Sequence, residues 1–384
     1  MYTPILTHHR PRTRCNSRFR LGRLHSRRSL DVSKFQAVVV SPRSYFAFTP
    51  LLASTAVGTL EFRTALEPVR SRRTKVDFFQ GWADDVDFKN RTITIEQAVD
   101  DPKQGLALTT DRHAGESKEQ REAERKRDVE KGRTFDLGYD KLIVTVGCYS
   151  QTFGTPGVRE HAYFLKDVGD ARKIRNRLLA CFEGAALPTT SDEMRRQLLT
   201  FAVVGGGPTG IEFSAELHDL INEDMAKIYP ELVQYHKIVV YDVAEKVLPM
   251  FDEKLASYAM QKFKRRGIDI KTSHHVEGLR RGAPAERSTL EDANDYHLYT
   301  LKLKEEGEIG VGMCVWSTPM LSACSLLMLT HDRYGSHAEP IRSSCARYVI
   351  SIKPIKTYSD LTYRRRPRST LQSTPSQLVR PHDP

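Results

Sequence analysis

Between Leu198 and Gly210 the chain reads LLTFAVVGGGPTG, an apolar run that breaks into Gly205, Gly207 and Gly210 at G-x-G-x-x-G spacing. Few folds are open to a strand that ends this way. The first glycine permits a tight strand-to-helix turn, the second lets a pyrophosphate approach the backbone, and the third lets the helix pack closely on the strand. The phosphates then meet a helix N-terminus, where unpaired N–H groups and the helix dipole favour negative charge. The flanks agree with this reading. Phe213, Leu217, Ile221, Met225 and Ile228 recur every three or four residues, which predicts a helix with one apolar stripe, closed at Pro230. Lys237 to Asp242, KIVVYD, follows as a second strand, and its acid falls where such sheets hold the adenosine ribose and repel a 2′-phosphate. Asp242 lies farther from the glycines than in a compact unit, which a lengthened helix explains. The bland alternative, a glycine turn beside a surface Asp, leaves the order of strand, glycines, helix and acid unaccounted for.

A length of 384 residues allows two or three domains and a sizeable core. The net charge of +11 does not lie on that body. Residues 1–30 hold eight arginines and no acid, residues 320–384 hold ten basic and four acidic side chains, and the part between is acidic overall. A nucleic-acid face belongs on the folded part, so nucleic acid is not expected as a partner. The six cysteines show neither C-x-x-C pairing nor regular spacing, so no disulfide framework and no metal site is indicated. No stretch approaches the 18 apolar residues of a membrane-spanning helix; the best run, Leu321 to Leu329, is broken by two serines and a cysteine. The Arg-rich, acid-free start has the composition of a mitochondrial transit peptide or of a disordered tail.

Further strands are predicted at Phe35–Val40, Val76–Trp82, Thr92–Glu96, Tyr139–Gly147, Ile268–Thr272, His297–Leu303 and Val311–Trp316. Further helices are predicted at Asp167–Phe182 and Asp252–Arg266, with a linker over Pro188–Ser191. Residues 100–133 form a charged insertion, either a solvated helix or disordered chain.

From about Leu30 to Thr318 the chain closely resembles the fungal mitochondrial type II NADH dehydrogenases, the alternative, rotenone-insensitive and above all external-facing enzymes. The resemblance is carried by VVVSPRSYFAFTPLLASTAVGTLEFR (38–63), KGRTFDLGYDKLIVTVGCYSQTFGTPGV (131–158), FAVVGGGPTGIEFSAELHD (201–219), VLPMFDEKL (247–255) and CVWST (314–318). It implies an α/β fold with two Rossmann-like FAD/NAD(P)-binding domains of the pyridine nucleotide-disulfide reductase type. The activity implied is NADH:ubiquinone oxidoreduction without proton pumping, in which hydride passes from NADH to FAD and two electrons go on to quinone. The cofactors carry the chemistry, and no catalytic side chain is assigned. Carried over position by position, Gly205, Gly207 and Gly210 line the NADH pyrophosphate, Glu212 reaches toward the nicotinamide, and Asp242 holds the ribose. Ser41, Arg43, Thr49 and Pro50, with Thr145 and Gly147, match the motifs near FAD. Two plainer roles stand beside these: Glu212 as an acid favoured by the helix dipole, and Arg43 as a surface ion pair. The resemblance also implies a peripheral place on the inner mitochondrial membrane and pairing into homodimers.

The departures concern the ends. Upstream of Phe35 the family has a strand and glycine loop for the FAD pyrophosphate, where this chain has MYTPILTHHRPRTRCNSRFRLGR. After Thr318 the family continues to a Gly-Asp strand, quinone-contacting helices and an amphipathic membrane anchor. Here Pro319 to Pro384 is rich in Ser, Thr, Arg and Pro without sustained period. The expected organisation is therefore an Arg-rich tail or transit-like segment at 1–30, an incomplete FAD domain at 31–190, an NADH domain at 198–318 and a disordered tail at 319–384. Two functional alternatives follow, an NADH-binding module without catalysis and an inactive fragment.

Overall fold

The computed structural model describes residues 35–70, 76–98, 133–144, 148–248, 252–284, 298–318, 320–322 and 349–354. Residues 1–30, all of the charged insertion except Arg133, and most of 319–384 lie outside the described residues. The first part of the chain builds a mixed sheet. Strand β1 (Phe35–Ser41) leads through a small hairpin of β2 (Tyr45–Ala47) and β3 (Leu66–Pro68), which brackets helix α1 (Leu52–Val57). Then come β4 (Asp77–Asp87), β5 (Thr92–Gln97), β6 (Thr134–Gly138), β7 (Lys141–Val144) and β8 (Cys148–Ser150). Ile93 and Ile95 alternate with partly exposed neighbours along β5 and bury against Val38, Val40 and Ala83.

The second part is a parallel sheet between two layers. It follows helix α2 (Val158–His161) and contains β9 (Tyr163–Phe164), helix α3 (Val168–Ala186), helix α4 (Asp192–Leu198), β10 (Thr200–Val204), helix α5 (Pro208–Asp219), β11 (Lys237–Tyr241), helix α6 (Glu253–Arg265) and β12 (Ile268–Lys271). An antiparallel layer of β13 (Val276–Arg281), β14 (Tyr299–Leu303) and β15 (Gly307–Val311) precedes β16 (Met313–Trp316). The parallel order is β12-β11-β10-β16-β9, so β10 is central and the direction of winding reverses beside it. Strand periodicity explains the three layers. Phe201 and Val203 of β10 join Ile238, Val240, Met313 and Val315 in the helical core, whereas Ala202, Val204, Val239, Tyr241, Cys314 and Trp316 face the antiparallel layer at Leu279, Leu301 and Val311. Both faces are covered, so these strands read as unbroken apolar runs.

Several sequence expectations need correction. The helix after the glycines runs on to Ile228 as expected but is not regular: α5 covers Pro208–Asp219, a π-helical turn spans Leu220–Met225, and a last turn covers Ala226–Ile228. The wider turn carries Ile221 and Met225 into the core and rotates Ile228 off the stripe, leaving it 62% exposed. The linker ending at Ser191 is followed by a helix the apolar pattern did not show. Ser191 accepts the Met194 amide as the cap of α4, whose first turn carries Asp192 and Glu193. Strand β9 and helix α3 pack with the parallel sheet, ahead of the boundary expected near 190, because Ile174, Leu178 and Phe182 share a core with Phe201. Two pieces of the 319–384 segment are strands: β17 (Met320–Ser322) pairs with β8, and β18 (Val349–Pro354) lies between β1 and β7, antiparallel to both. VISIKP has strand-favouring composition, and β1 offers it an open edge opposite β4.

Phe213 has no exposed surface and packs where α5 meets β10. Phe213→Ala is expected to lower the unfolding free energy by about 3–5 kcal/mol, read as a lower urea midpoint.

Candidate functional site

At the C-terminal end of the parallel sheet, β10 runs into Gly205, whose φ of +111° is left-handed. Its amide donates to the Tyr241 carbonyl at 2.8 Å, and Ser317 closes the other side by donating to the Val204 carbonyl at 2.8 Å. A Cβ at Gly205 would lie 2.6 Å from the Ser317 carbonyl oxygen, and one at Gly210 only 2.1 Å from the Gly205 carbonyl oxygen. These two glycines therefore let helix and strands meet backbone to backbone. Gly207 differs, because nothing lies within 4 Å of the position its Cβ would take. It is the N-cap of α5, no side chain caps the helix there, and Pro208 occupies the first turn. Open space thus lies directly over uncapped backbone donors at the positive end of a helix, which fits the diphosphate of a dinucleotide.

Asp242 leaves β11 beside this turn. One of its carboxylate oxygens accepts the Gly206 amide at 2.5 Å and the other the Ala244 amide at 2.8 Å, so the acid ties the glycine turn to the loop after β11. Val247 packs over Gly206, and the Leu248 amide donates to the Gly206 carbonyl at 3.1 Å. Glu212 keeps contact with solvent on the first turns of α5. Desolvation by the surrounding protein holds its carboxyl above the usual range, and the negative charge of Glu216 one turn on adds to this. Glu216 accepts the Ser54 hydroxyl at 2.9 Å and the Thr59 hydroxyl at 3.0 Å, joining α5 to α1. Sequence reasoning missed Glu216. Its place one turn beyond Glu212 is visible in the sequence, but its partners lie more than 150 residues away.

The residues matched to the FAD motifs gather at the end of β1. Ser41 is fully buried and its hydroxyl accepts the Arg43 amide at 3.1 Å. Arg43 is buried, and its guanidinium pairs with Asp167, which corrects the alternative of a surface ion pair. Asp167 also accepts the Tyr45 hydroxyl at 3.1 Å and the Val168 amide at 2.7 Å, capping α3 in a capping box with Asp170. The sequence contained that box as D-x-x-D ahead of an apolar stripe, yet only the fold brings Arg43 to it. Thr49 and Pro50 are exposed in the short turn that leads into α1. Thr145 and Gly147 lie outside the described residues. Of these matched residues Thr49 and Pro50 face solvent, whereas Ser41 and Arg43 are buried and already engaged within the protein. The central place beside β1 is held by the antiparallel β18, so no described glycine turn supplies a second diphosphate cradle at this edge.

Burial pushes the Cys181 thiol up to about 11 and the Cys314 thiol up to about 12, which makes both poor nucleophiles at neutral pH. No cluster of His, Cys, Asp or Glu able to hold a metal ion occurs among the described residues. No described helix is long and apolar enough to cross a membrane.

Residues 24–327 match the family model described as pyridine nucleotide-disulphide oxidoreductase. The chain is 39% identical over 298 residues to the external alternative NAD(P)H-ubiquinone oxidoreductase B1, mitochondrial, of Solanum tuberosum, a match covering 76% of this chain and 44% of that protein. It is 36% identical over 301 residues to the external NADH-ubiquinone oxidoreductase 2, mitochondrial, of Saccharomyces cerevisiae, covering 77% and 48%. Among solved structures it is similar to NDH2 from Plasmodium falciparum in complex with NADH, with a TM-score of 0.56 and 25% identity over 75% of this chain and 51% of that one. The chain thus spans about half the length of these relatives.

Breaking the buried pair leaves Asp167 charged without its guanidinium. Arg43→Gln is expected to destabilise the protein by about 3–5 kcal/mol in chemical denaturation.

Proposed function

The chain belongs to the pyridine nucleotide-disulphide oxidoreductase family, and from that premise we propose that it works in NADH:ubiquinone oxidoreduction, with NADH docked at the 205–210 turn. The observation that carries the reading is the open space over Gly207 at an uncapped helix start. In this reading the amides of the first turn of α5 hold the pyrophosphate, and the close approach of Gly210 to Gly205 fixes their direction. Asp242 orients the ribose from a carboxylate already anchored by Gly206 and Ala244, and its charge opposes a 2′-phosphate. Glu212 lies toward the nicotinamide end. Ser41, Arg43, Thr49 and Pro50 would flank FAD, which when bound would supply the two-electron acceptor between NADH and quinone. The same reading places the protein at the inner mitochondrial membrane as a peripheral homodimer, as the family resemblance implies.

A second reading, an NADH-binding module without flavin, is favoured by one observation. Strand β18 runs antiparallel in the slot beside β1, whereas the dinucleotide turn is fully built.

Purified full-length chain separates the two. NADH is expected to bind saturably by nucleotide fluorescence, and absence of saturation overturns both readings. A bound flavin spectrum with NADH-driven ubiquinone reduction supports the oxidoreductase, and NADH binding without flavin supports the module. Gly207→Ala should fold normally and weaken NADH binding about tenfold or more, because the added methyl fills space kept for phosphate. Gly210→Ala should instead fail to fold, because its Cβ meets backbone. Asp242→Asn is expected to raise the NADPH-to-NADH affinity ratio about tenfold, and an unchanged ratio refutes the role of its charge.

A further inference from the structure

Two helix starts face the two proposed cofactor edges: α5 opens on the glycine turn, and α1 opens just after Thr49 and Pro50. They pack in one apolar core, with Leu52, Ala53, Ala56 and Val57 in the same cluster as Ile211, Phe213 and Leu217, and one charged side chain also ties them together. Both oxygens of Glu216 accept hydroxyls from the far side, Ser54 in the middle of α1 at 2.9 Å and Thr59 in the turn after it at 3.0 Å. Ser54 is also the hub of that turn, since its carbonyl accepts the Gly58 amide at 3.0 Å and the Leu60 amide at 3.3 Å. Gly58 makes the turn in a left-handed conformation, φ +94°, with the Arg175 guanidinium packed where a Cβ would stand. A carboxylate that grips a helix and its terminating turn together resists both sliding and rotation, and charge-assisted bonds of this kind are stronger than neutral ones.

We propose that Glu216 is a positioning residue that makes α1 and α5 one mechanical unit, so that a nucleotide held at the start of α5 stiffens the turn at residues 58–60. The idea rests on the NADH docking proposed above. It gives Glu216 no contact with substrate.

Hydrogen exchange on the full chain at the Gly58 and Leu60 amides tests this, with NADH affinity measured in parallel on the same samples. Without nucleotide, Glu216→Ala and the double variant Ser54→Ala/Thr59→Val are expected to exchange about tenfold faster there than the parent, the worth of one or two hydrogen bonds. Glu216→Gln, which keeps a carbonyl acceptor and adds an amide that either hydroxyl can accept, should restore most of the protection. Adding NADH should slow exchange at both amides in the parent and in Glu216→Gln but not in the two clamp variants, while NADH affinity stays within about threefold across all of them. Equal exchange in parent and clamp variants before nucleotide is added overturns the proposal, as does NADH-induced protection that survives Glu216→Ala. Loss of NADH affinity in the clamp variants also overturns it, because Glu216 would then serve the site itself. A parent that shows the clamp effect yet fails to bind NADH refutes the docking reading and the proposed coupling to nucleotide, and leaves the clamp established.

Discussion

The contact between α5 and the end of β10 decides the rest. Gly210 lies so close to the Gly205 carbonyl that no side chain fits between them, and this draws the helix start over the mouth of the sheet. Everything local follows from that approach. Open space lies where a Gly207 Cβ would stand, at a helix start with no side-chain cap, the Ser317 carbonyl closes one wall, and Asp242 spans to the Gly206 amide on the other. The core beneath holds the approach in place, since Phe201, Val203 and Phe213 are sealed between helices and sheet.

Much of this was legible in the residue pattern. The unbroken apolar runs at 201–204, 238–241 and 313–316 announce strands covered on both faces, and the glycine spacing announces the turn between the first of them and its helix. The wider π-helical turn was not legible, because Ile221, Met225 and Ile228 fit a regular helix equally well. Helix α4 was missed for a different reason. Its seven residues are too few to show a period, although the Ser191 cap with two acids after it was there to be read. Strand β18 pairs with β1 some 300 residues away, and no local pattern specifies such a partner.

The site divides in the same way. Gly205, Gly207, Gly210 and Asp242 lie within one βαβ unit and stand out by their spacing, whereas Glu212 was named through the family resemblance; the fold brings the turn, the helix start and the acid together. Asp242 nevertheless has a structural duty that spacing did not reveal, as an acceptor for two backbone amides. Arg43–Asp167 and Glu216–Ser54–Thr59 join residues more than 120 positions apart, and they link the two halves of the molecule. Such pairs arise from topology, and a single sequence carries them only as scattered polar residues.

The central claim is that a nicotinamide nucleotide is held by the uncapped first turn of α5. A crystal structure of the full chain grown with NADH tests it most directly. The account places pyrophosphate oxygens at hydrogen-bond distance, roughly 3 Å, from the backbone amides that follow Gly207. A nucleotide bound elsewhere, with those amides left to solvent, contradicts it.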